Sequence, residues 1–229
     1  MNIPRHTGTK SMTGRNISEI KLTSNEYGES KYELSSTEQT QDYLDVTASV
    51  VFKAAPGEEV QPAVTAGGVW RNHYIYIDFD GDGFTAGIES GSNWKPAGDL
   101  VAYSFYNNDA VSDDPGWNSK GSVLTGGNRS TPSIPSFTAP AQVGRYRMRI
   151  KQDWCNIDPA GDNDGKFGDF KANGGQIIDI ILEVGNVTNI EFVGAEKDAE
   201  KIYDLTGRQI EKTTTRGIYI INGKKVLVK

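Results

Sequence analysis

Apolar and polar residues alternate at period two along several short runs of the chain, and this period is typical of β-strands with one buried face. The run Tyr74–Asp78 places two tyrosines and an aspartate on one face and two isoleucines on the other. The runs Gly144–Trp154 and Gln176–Val184 alternate in the same way. Nine prolines and 26 glycines favour turns between such runs. The pattern predicts an all-β fold: an antiparallel β-sandwich, Ig-like or jelly-roll-like, followed by a small unit rich in β-hairpins.

The same pattern divides the chain into three parts. The polar start contains one short predicted strand, at Ile17–Leu22. The β-branched run Tyr43–Lys53 predicts the first strand of the main domain. Near the C-terminus Asn222-Gly223 joins two alternating runs, and Asn-Gly is typical of a tight hairpin because both residues tolerate positive φ. The predicted parts are a polar N-terminal lead-in (residues 1–40), the β-sandwich domain (41–185) and a small C-terminal β domain (186–229).

A loop packed with carboxylates follows the strand Tyr74–Asp78. It fits the twelve-residue calcium-loop spacing D-x-[DN]-x-[DN]-G-x5-E, and the motif positions hold Asp78, Asp80, Asp82, Gly83 and Glu89. A hard cation prefers many oxygen ligands, and alternate carboxylates converge when a loop wraps around a point. The backbone carbonyl of Phe84 stands at the seventh loop position, and Glu89 would close the site with two oxygens. The spacing predicts a calcium site formed by Asp78, Asp80, Asp82, Phe84 and Glu89.

The setting of this loop differs from that of an EF-hand. An alternating β run leads into it, and the following GSNWKPAGD contains Pro96 and weak helix formers, so no exit helix is expected. A bound calcium ion would therefore occupy a strand–loop site. The alternative is a hairpin loop that contains Asp and Gly only because turns favour these residues. The residues alone leave both interpretations open.

A cationic face results from the alternation after Gly144. The side chains on this side of the predicted strand are Arg145, Arg147, Arg149 and Lys151. One interpretation is that this face binds an anionic ligand. The favoured interpretation is a solvated face, because surface charges usually serve solvation. On that interpretation Asp179 and Glu183, on the last predicted strand of the sandwich, partly neutralise the arginines.

Composition and missing motifs exclude several functional classes. The chain has 24 basic and 30 acidic residues and a net charge of −6, which argues against nucleic-acid binding because that function needs a basic face. No apolar run reaches 18 residues, so no membrane span is expected. Cys155 is the only cysteine, which excludes an intrachain disulfide.

The residues also argue against an enzyme. His6 and His73 are the only histidines, so a conventional triad or a three-histidine zinc site is not expected. The sequence contains no GxSxG or HExxH motif. A hydrolase built on the clustered carboxylates is disfavoured, because close carboxylates suit a cation better than an acid/base pair.

Two tryptophans in predicted loops, Trp94 and Trp117, are candidates for glycan binding. An indole face can stack on the apolar face of a sugar, as it does on other flat groups. The alternative is a purely structural spacer or adhesin segment with a smooth polar surface.

The stretch Tyr43–Val184 resembles the GEVED-type β-sandwich domain. The resemblance rests on YLDVT, YIYIDFDGDGF, the YRMR strand and the closing GGQIIDIILEV. It departs before the last strand, where NGGQIID replaces the acidic run that gives the domain its name. Domains of this type recur in secreted and surface proteins of Gram-negative anaerobes, often beside glycosidase, peptidase or adhesin modules. The resemblance implies a non-catalytic accessory or binding module of an exported or cell-surface bacterial protein.

The end of the chain, Val187–Lys229, is similar to the C-terminal sorting domain of type IX secretion cargo. KIYDLTGRQI and RGIYIINGKKVLVK carry this similarity by their spacing and terminal position. It implies export and contact with the secretion machinery. The start MNIPRHTGTK lacks the apolar segment of a signal peptide, so we expect that a presequence is absent from this chain and that the protein is secreted or lies on the cell surface.

Overall fold

The computed structural model describes residues 15–68, 71–105, 116–124, 133–153, 157–161, 174–185, 202–204, 208–210, 216–221 and 224–228. The chain divides into two compact units, Met1–Val187 and Thr188–Lys229. Residues 1–14 of the predicted lead-in lie outside the described residues. In the described ranges no helix is both long and apolar enough to cross a membrane.

Short strands build the first unit. The first seven are β1 (Ile17–Ser24), β2 (Gly28–Glu33), β3 (Tyr43–Asp45), β4 (Val51–Ala54), β5 (Glu59–Ala66), β6 (Asn72–Asp78) and β7 (Ala86–Ile88). They are followed by β8 (Pro96–Gly98), β9 (Leu100–Phe105), β10 (Gly116–Asn118), β11 (Val123–Leu124), β12 (Phe137–Thr138), β13 (Gly144–Asp153) and β14 (Gln176–Val184). A short 3-10 turn at Glu38–Thr40 precedes β3.

These strands form two main sheets that pack together, so the predicted all-β sandwich is confirmed. The smaller sheet has the strand order β12–β5–β1–β2. The larger sheet has the order β11–β10–β9–β6–β13–β14–β3, and β4 also pairs with β14. β7 and β8 form a separate hairpin. β6, which leads into the acidic loop, therefore lies in the interior of the larger sheet.

The larger sheet is mixed rather than purely antiparallel, which corrects one detail of the predicted sandwich. β3 and β4 both pair in parallel with β14. The sequence predicts a single strand over Tyr43–Lys53, but the chain turns in between, where the amides of Ser49 and Val50 donate to the carbonyl of Val46. β14 therefore has two short partners along one edge.

The core lies between the two sheets, at the alternating apolar positions of the sequence. β6 contributes Ile75 and Ile77, and β14 contributes Ile178, Ile180 and Leu182. Burial of one such side chain stabilises the fold by about 1.5–3 kcal/mol. This gain orients each strand, because a slip by one residue would turn its apolar side chains to the other face.

The described part of the predicted N-terminal lead-in contains the expected short strand at β1 and a second strand, β2. β1 pairs with both β2 and β5 in the smaller sheet. Its Ile17, Ile20 and Leu22 are buried in the core. The polar residues that suggested a lead-in belong in part to β2, an edge strand whose side chains are exposed or half-buried. The segment therefore belongs to the sandwich from Ile17 onward.

The outer face of the larger sheet is also covered. Tyr74 and Tyr76 of β6 form a second buried apolar cluster with Phe84, Leu100 and Tyr103. The half-buried residues that pack against this outer-face cluster are Ala86, Ile88, Phe105, Trp117 and Ile157. The segments that follow β6 and β13 therefore contribute side chains to the outer face, where the charged positions of β13 also lie.

The second unit is a small sheet. Its strands are β15 (Ile202–Tyr203), β16 (Gln209–Ile210), β17 (Gly217–Ile221) and β18 (Lys224–Val228), in the order β16–β15–β17–β18. β17 and β18 pair antiparallel with Ile221 opposite Lys224. The hairpin predicted at this place is confirmed.

Candidate functional site

The acidic loop begins where β6 ends. Asp78 is the last residue of β6 and is buried, whereas Asp80 and Asp82 are exposed. Ligand oxygens from these three carboxylates all lie within 4.8 Å of one another. The structure thus brings three of the predicted calcium ligands to one point.

Backbone turns produce this convergence. The amide of Gly81 donates to Asp78 Oδ1 at 2.7 Å, and the amide of Asp82 donates to Asp80 Oδ1 at 3.3 Å. Gly81 has a φ of 82° and Gly83 a φ of 119°. Residues with a side chain rarely adopt such angles. The two glycines therefore allow the chain to curl so that alternate aspartates meet.

The neighbouring carboxylates disfavour the charged form of Asp82. The side-chain hydrogen bond with Asp80 raises the pKa of Asp82, and the negative charges of Asp80, Asp78 and Asp99 raise it further. A raised carboxyl pKa means that the folded state disfavours the ionised form. A cation at this point would reverse the effect, because its charge dominates the local electrostatics.

Asp99 is a fourth carboxylate at the same end of the larger sheet, and the sequence motif does not predict it as part of this group. Asp99 directly precedes β9, which runs antiparallel to β6, and its carbonyl accepts a hydrogen bond from the amide of Ile77 at 2.9 Å. Its Oδ2 accepts hydrogen bonds from the amide and the hydroxyl of Thr85, at 2.7 and 2.9 Å. Consecutive antiparallel strands place the end of one beside the start of the next, and this is the signal that would have found Asp99.

Glu89 does not join the group, which corrects the predicted twelve-residue loop. The preceding residues form β7, which pairs with β8, so the chain extends instead of wrapping around the aspartates. The Glu89 carboxylate lies 2.6 Å from the ammonium of Lys95. Its amide also donates to the Lys95 carbonyl at 2.8 Å. A cation bound to the three aspartates would take its remaining oxygens from other groups.

Phe84, predicted to offer its carbonyl, anchors the loop through its ring. The ring is buried, with its centroid 6.1 Å from that of Tyr76 and 4.4 Å from the guanidinium carbon of Arg149. This contact holds the middle of the predicted loop, just after the three aspartates, on the outer face of the sheet. The role of the Phe84 carbonyl stays a prediction.

The cationic face of β13 is exposed at one end and buried at the other. Arg145 is exposed and lies 2.8 Å from Glu183. Arg149 and Lys151 are completely buried. The prediction of a solvated face is wrong for these two, because local alternation indicates which face a residue takes but not whether another segment covers that face.

Asp179 is the centre of the buried ionic network. It lies opposite Arg149 in the β13–β14 ladder and accepts two hydrogen bonds from it, Nε to Oδ1 and Nη2 to Oδ2, both at 2.7 Å. Nε of Arg147 donates to Asp179 Oδ2 at 2.9 Å, while Nη2 of Arg147 donates to Asp45 at 2.6 Å. The predicted pairing with Asp179 and Glu183 is confirmed. The arginines of β13 therefore pair with carboxylates of the chain itself rather than with an external anion.

Three successive carbonyls, at 157–159, cap the same layer. The carbonyl at 157 accepts a hydrogen bond from the hydroxyl of Tyr76 at 2.9 Å. The carbonyl at 158 accepts one from the ammonium of Lys151 at 2.5 Å, and the carbonyl at 159 accepts one from a guanidinium nitrogen of Arg149 at 2.9 Å. Burial lowers the pKa of Lys151. The segment is therefore tied to the sheet by the charged residues that it covers.

The two candidate glycan-binding tryptophans are half-buried. Trp117 lies in β10, opposite Phe105 and Val123 on the neighbouring strands, and packs against the outer-face cluster. Trp94 packs on the backbone of Gly121, where an added Cβ would come within 2.8 Å of the indole. Both rings therefore have a packing role beside the β10–β11 hairpin, and each leaves part of its surface in solvent.

No family model, curated protein or solved structure matches this chain. The resemblances to the GEVED-type domain and to the type IX sorting domain therefore stay predictions from their motifs.

Proposed function

We propose that the chain is a non-catalytic β-sandwich module of an exported bacterial protein, and that Asp78, Asp80 and Asp82 bind a calcium ion that orders the acidic loop. The observation that carries the calcium site is the convergence of three carboxylates within 4.8 Å at the end of a strand anchored in the sheet. Carboxylates this close disfavour one another's ionisation. A bound cation would offset the repulsion between the three negative charges.

The donor set favours calcium among the common cations. Zinc is usually held by cysteine and histidine, whereas this group offers carboxylate oxygens. Magnesium requires near-ideal octahedral geometry, but calcium accepts irregular sets of six to eight oxygens that include carbonyls and water. Extracellular modules bind calcium with a Kd of about 10⁻⁴–10⁻³ M. An affinity in this range would suit an exported protein.

Thermal unfolding of the full chain in excess EDTA and then in millimolar calcium tests the site. Calcium at ten times its Kd would stabilise the folded state by about 1.4 kcal/mol. For a chain of this size, such a gain raises the Tm by roughly 3–6 °C. Equal melting temperatures in the two conditions would contradict the proposal.

Two variants sharpen this test. Glu26→Gln removes an exposed carboxylate from the turn between β1 and β2 and is expected to keep the full calcium response. Glu89→Gln is also expected to keep it, because the Glu89 carboxylate pairs with Lys95. Loss of the response in Glu89→Gln alone would instead support the twelve-residue loop predicted from the motif spacing.

The binding partner that we propose is a glycan, held on the solvent-facing surfaces of Trp117 and Trp94. Both indoles lie beside the β10–β11 hairpin and are partly exposed, and an exposed aromatic face can stack on a sugar. Retention on immobilised polysaccharides in calcium buffer tests this role. Trp117→Ala should reduce retention, whereas Val143→Ala, which shortens an exposed apolar side chain just before β13, should not. Failure of the wild type to bind any polysaccharide would favour the alternative, a structural spacer or adhesin segment.

The proposed export of the chain is supported by the motif at its C-terminus. A reporter fused to residues 186–229 should be released by a bacterium that has a type IX secretion system. The matched control is the same reporter without these residues. Equal retention of both reporters inside the cell would contradict a sorting role.

A further inference from the structure

Arg71 lies next to the core, directly before β6. Side chains alternate along a strand, so His73 shares the inner face with Ile75 and Ile77, and Arg71 precedes His73 by two residues. Arg71 is only 9% exposed. A permanent positive charge therefore stands at the end of the apolar layer between the sheets.

The Arg71 guanidinium has donors without acceptors in the described part of the chain. Both Nε and Nη1 are buried and have no hydrogen-bond partner there. A buried donor without an acceptor costs free energy, and the cost is larger for a charged group. Native structures pair the large majority of such groups. The unused donors therefore indicate an acceptor from outside the described chain.

A second guanidinium adds to the positive charge at this point. Burial lowers the pKa of Arg71, and the charge of Arg15 lowers it further. Burial also lowers the pKa of Arg15, although the charge of Asp153 opposes this shift. The carbonyl of Arg15 accepts a hydrogen bond from Gln152 Nε2 at 3.0 Å, and Gln152 Oε1 lies 3.2 Å from Nε2 of His73. This chain of contacts holds Arg15 beside the start of β6.

We propose that Arg71, together with Arg15, binds a small oxyanion, a carboxylate or a phosphate group, at this end of the sandwich. A guanidinium presents a planar fork of donors that matches two oxygens of such a group, and the negative charge of the oxyanion compensates Arg71. His73 lines a cavity of about 270 Å³ together with Pro62, Val64 and Ile134. Neither arginine lines this cavity, so a ligand held by Arg71 would place a small apolar body there only if that body extends past His73.

The oxyanion site is independent of the calcium site. Arg71 directly precedes β6, whereas Asp78 is its last residue. Loss of one site is therefore expected to leave the other intact, and the two proposals can fail separately.

Anion-dependent stabilisation of the full chain tests the oxyanion site. Melting temperatures are measured at constant ionic strength with chloride replaced by phosphate, acetate or benzoate, and binding is measured by calorimetry. At least one anion should raise the Tm in a saturable manner, by roughly 3–6 °C at ten times its Kd. Stronger binding of benzoate than of acetate would assign the cavity to the apolar body, and a response to phosphate alone would assign the site to phosphate groups. No saturable response to any of the three would overturn the proposal.

Three variants locate the response. Arg71→Met removes the guanidinium, keeps an unbranched apolar side chain, and should abolish the response. Arg15→Gln should weaken anion binding several-fold. If Arg71→Met does not fold, the anion affinity of Arg15→Gln, measured by calorimetry, tests the site instead. Arg145→Gln removes an exposed arginine from β13 and should respond as the wild type does. Equal responses in all three variants would overturn the proposal.

Discussion

Replacement of Asp179 by asparagine is the perturbation whose cost the structure defines best. Asp179 is completely buried and forms ion pairs with Arg147 and Arg149. Asparagine keeps the shape of the side chain but removes its charge, and its amide nitrogen would face a guanidinium donor. Arg149, which is also completely buried, would lose the carboxylate opposite it in the ladder.

The expected cost is large because the remaining charge stays buried. Removal of one partner from a buried ion pair costs about 3–5 kcal/mol. Asp179 Oδ2 also accepts a hydrogen bond from the hydroxyl of Tyr43 at 3.1 Å, which the substitution weakens. For a chain of this size each kcal/mol corresponds to roughly 2–4 °C, so the Tm should fall by about 6–20 °C.

Urea unfolding followed by tryptophan fluorescence and circular dichroism measures this cost. The matched control is Glu183→Gln, which breaks the exposed pair with Arg145 and should cost less than about 1 kcal/mol. The double variant Asp179→Leu with Arg149→Met should recover much of the loss, because apolar residues can replace a buried ion pair. Equal costs for Asp179→Asn and Glu183→Gln would refute the buried network on the outer face.

Two further predictions concern His73 and Gly121. Burial lowers the pKa of His73 from 6.5 to about 4, so the folded state favours the neutral ring, and stability present above pH 6.5 is lost as the pH falls toward 4, by up to about 3 kcal/mol. Urea unfolding at pH 7 and pH 4 should show a smaller loss for His73→Gln, and equal losses would contradict this. Gly121→Ala should cost about 1–3 kcal/mol and alter tryptophan fluorescence, because φ is 79° and the new Cβ would lie 2.8 Å from Trp94. Gly28→Ala, at a φ of 72° with open space, should cost only the backbone strain, and equal costs for the two alanines would contradict the packing of Trp94.

The strands that the sequence predicts well are those in which one face is apolar throughout. Gln176–Val184 is a strand with the predicted bounds, because its alternate isoleucines bury in the core. The sequence does not indicate that the run Tyr43–Lys53 forms two strands, because β-branched residues continue through the turn at Val46. Local propensity cannot indicate that both pieces pair in parallel with β14, because that pairing depends on contacts more than a hundred residues apart.

Part of the candidate metal site is predictable from spacing, and part is not. Asp78, Asp80 and Asp82 converge because the two glycines between and after them curl the backbone. Glu89 leaves the group because the residues before it pair with β8. Asp99 enters this region through the pairing of β6 with β9, which a linear motif does not contain. A motif therefore indicates local convergence, whereas ligands from more distant positions depend on the sheet.

The burial of Arg149 was not predictable for a related reason. Its position in the alternating run indicates the outer face of β13, and outer faces of sandwiches are usually solvated. Here the ring of Phe84 and the carbonyl of Pro159 cover the guanidinium. These contacts come from segments without strong periodicity, so the sequence pattern does not show where they fold.

The most direct test of the cation site is the effect of Asp80→Ala, which removes both the charge and the ligand oxygens, on thermal stability, measured once in excess EDTA and once in millimolar calcium. In EDTA the substitution removes one of three mutually repelling charges, so the Tm should rise above that of the wild type. In calcium the same substitution removes a ligand, so the Tm should fall below that of the wild type. This reversal of sign is the predicted result. A shift of the same sign and size in both conditions would contradict the site and leave the segment as an acidic turn.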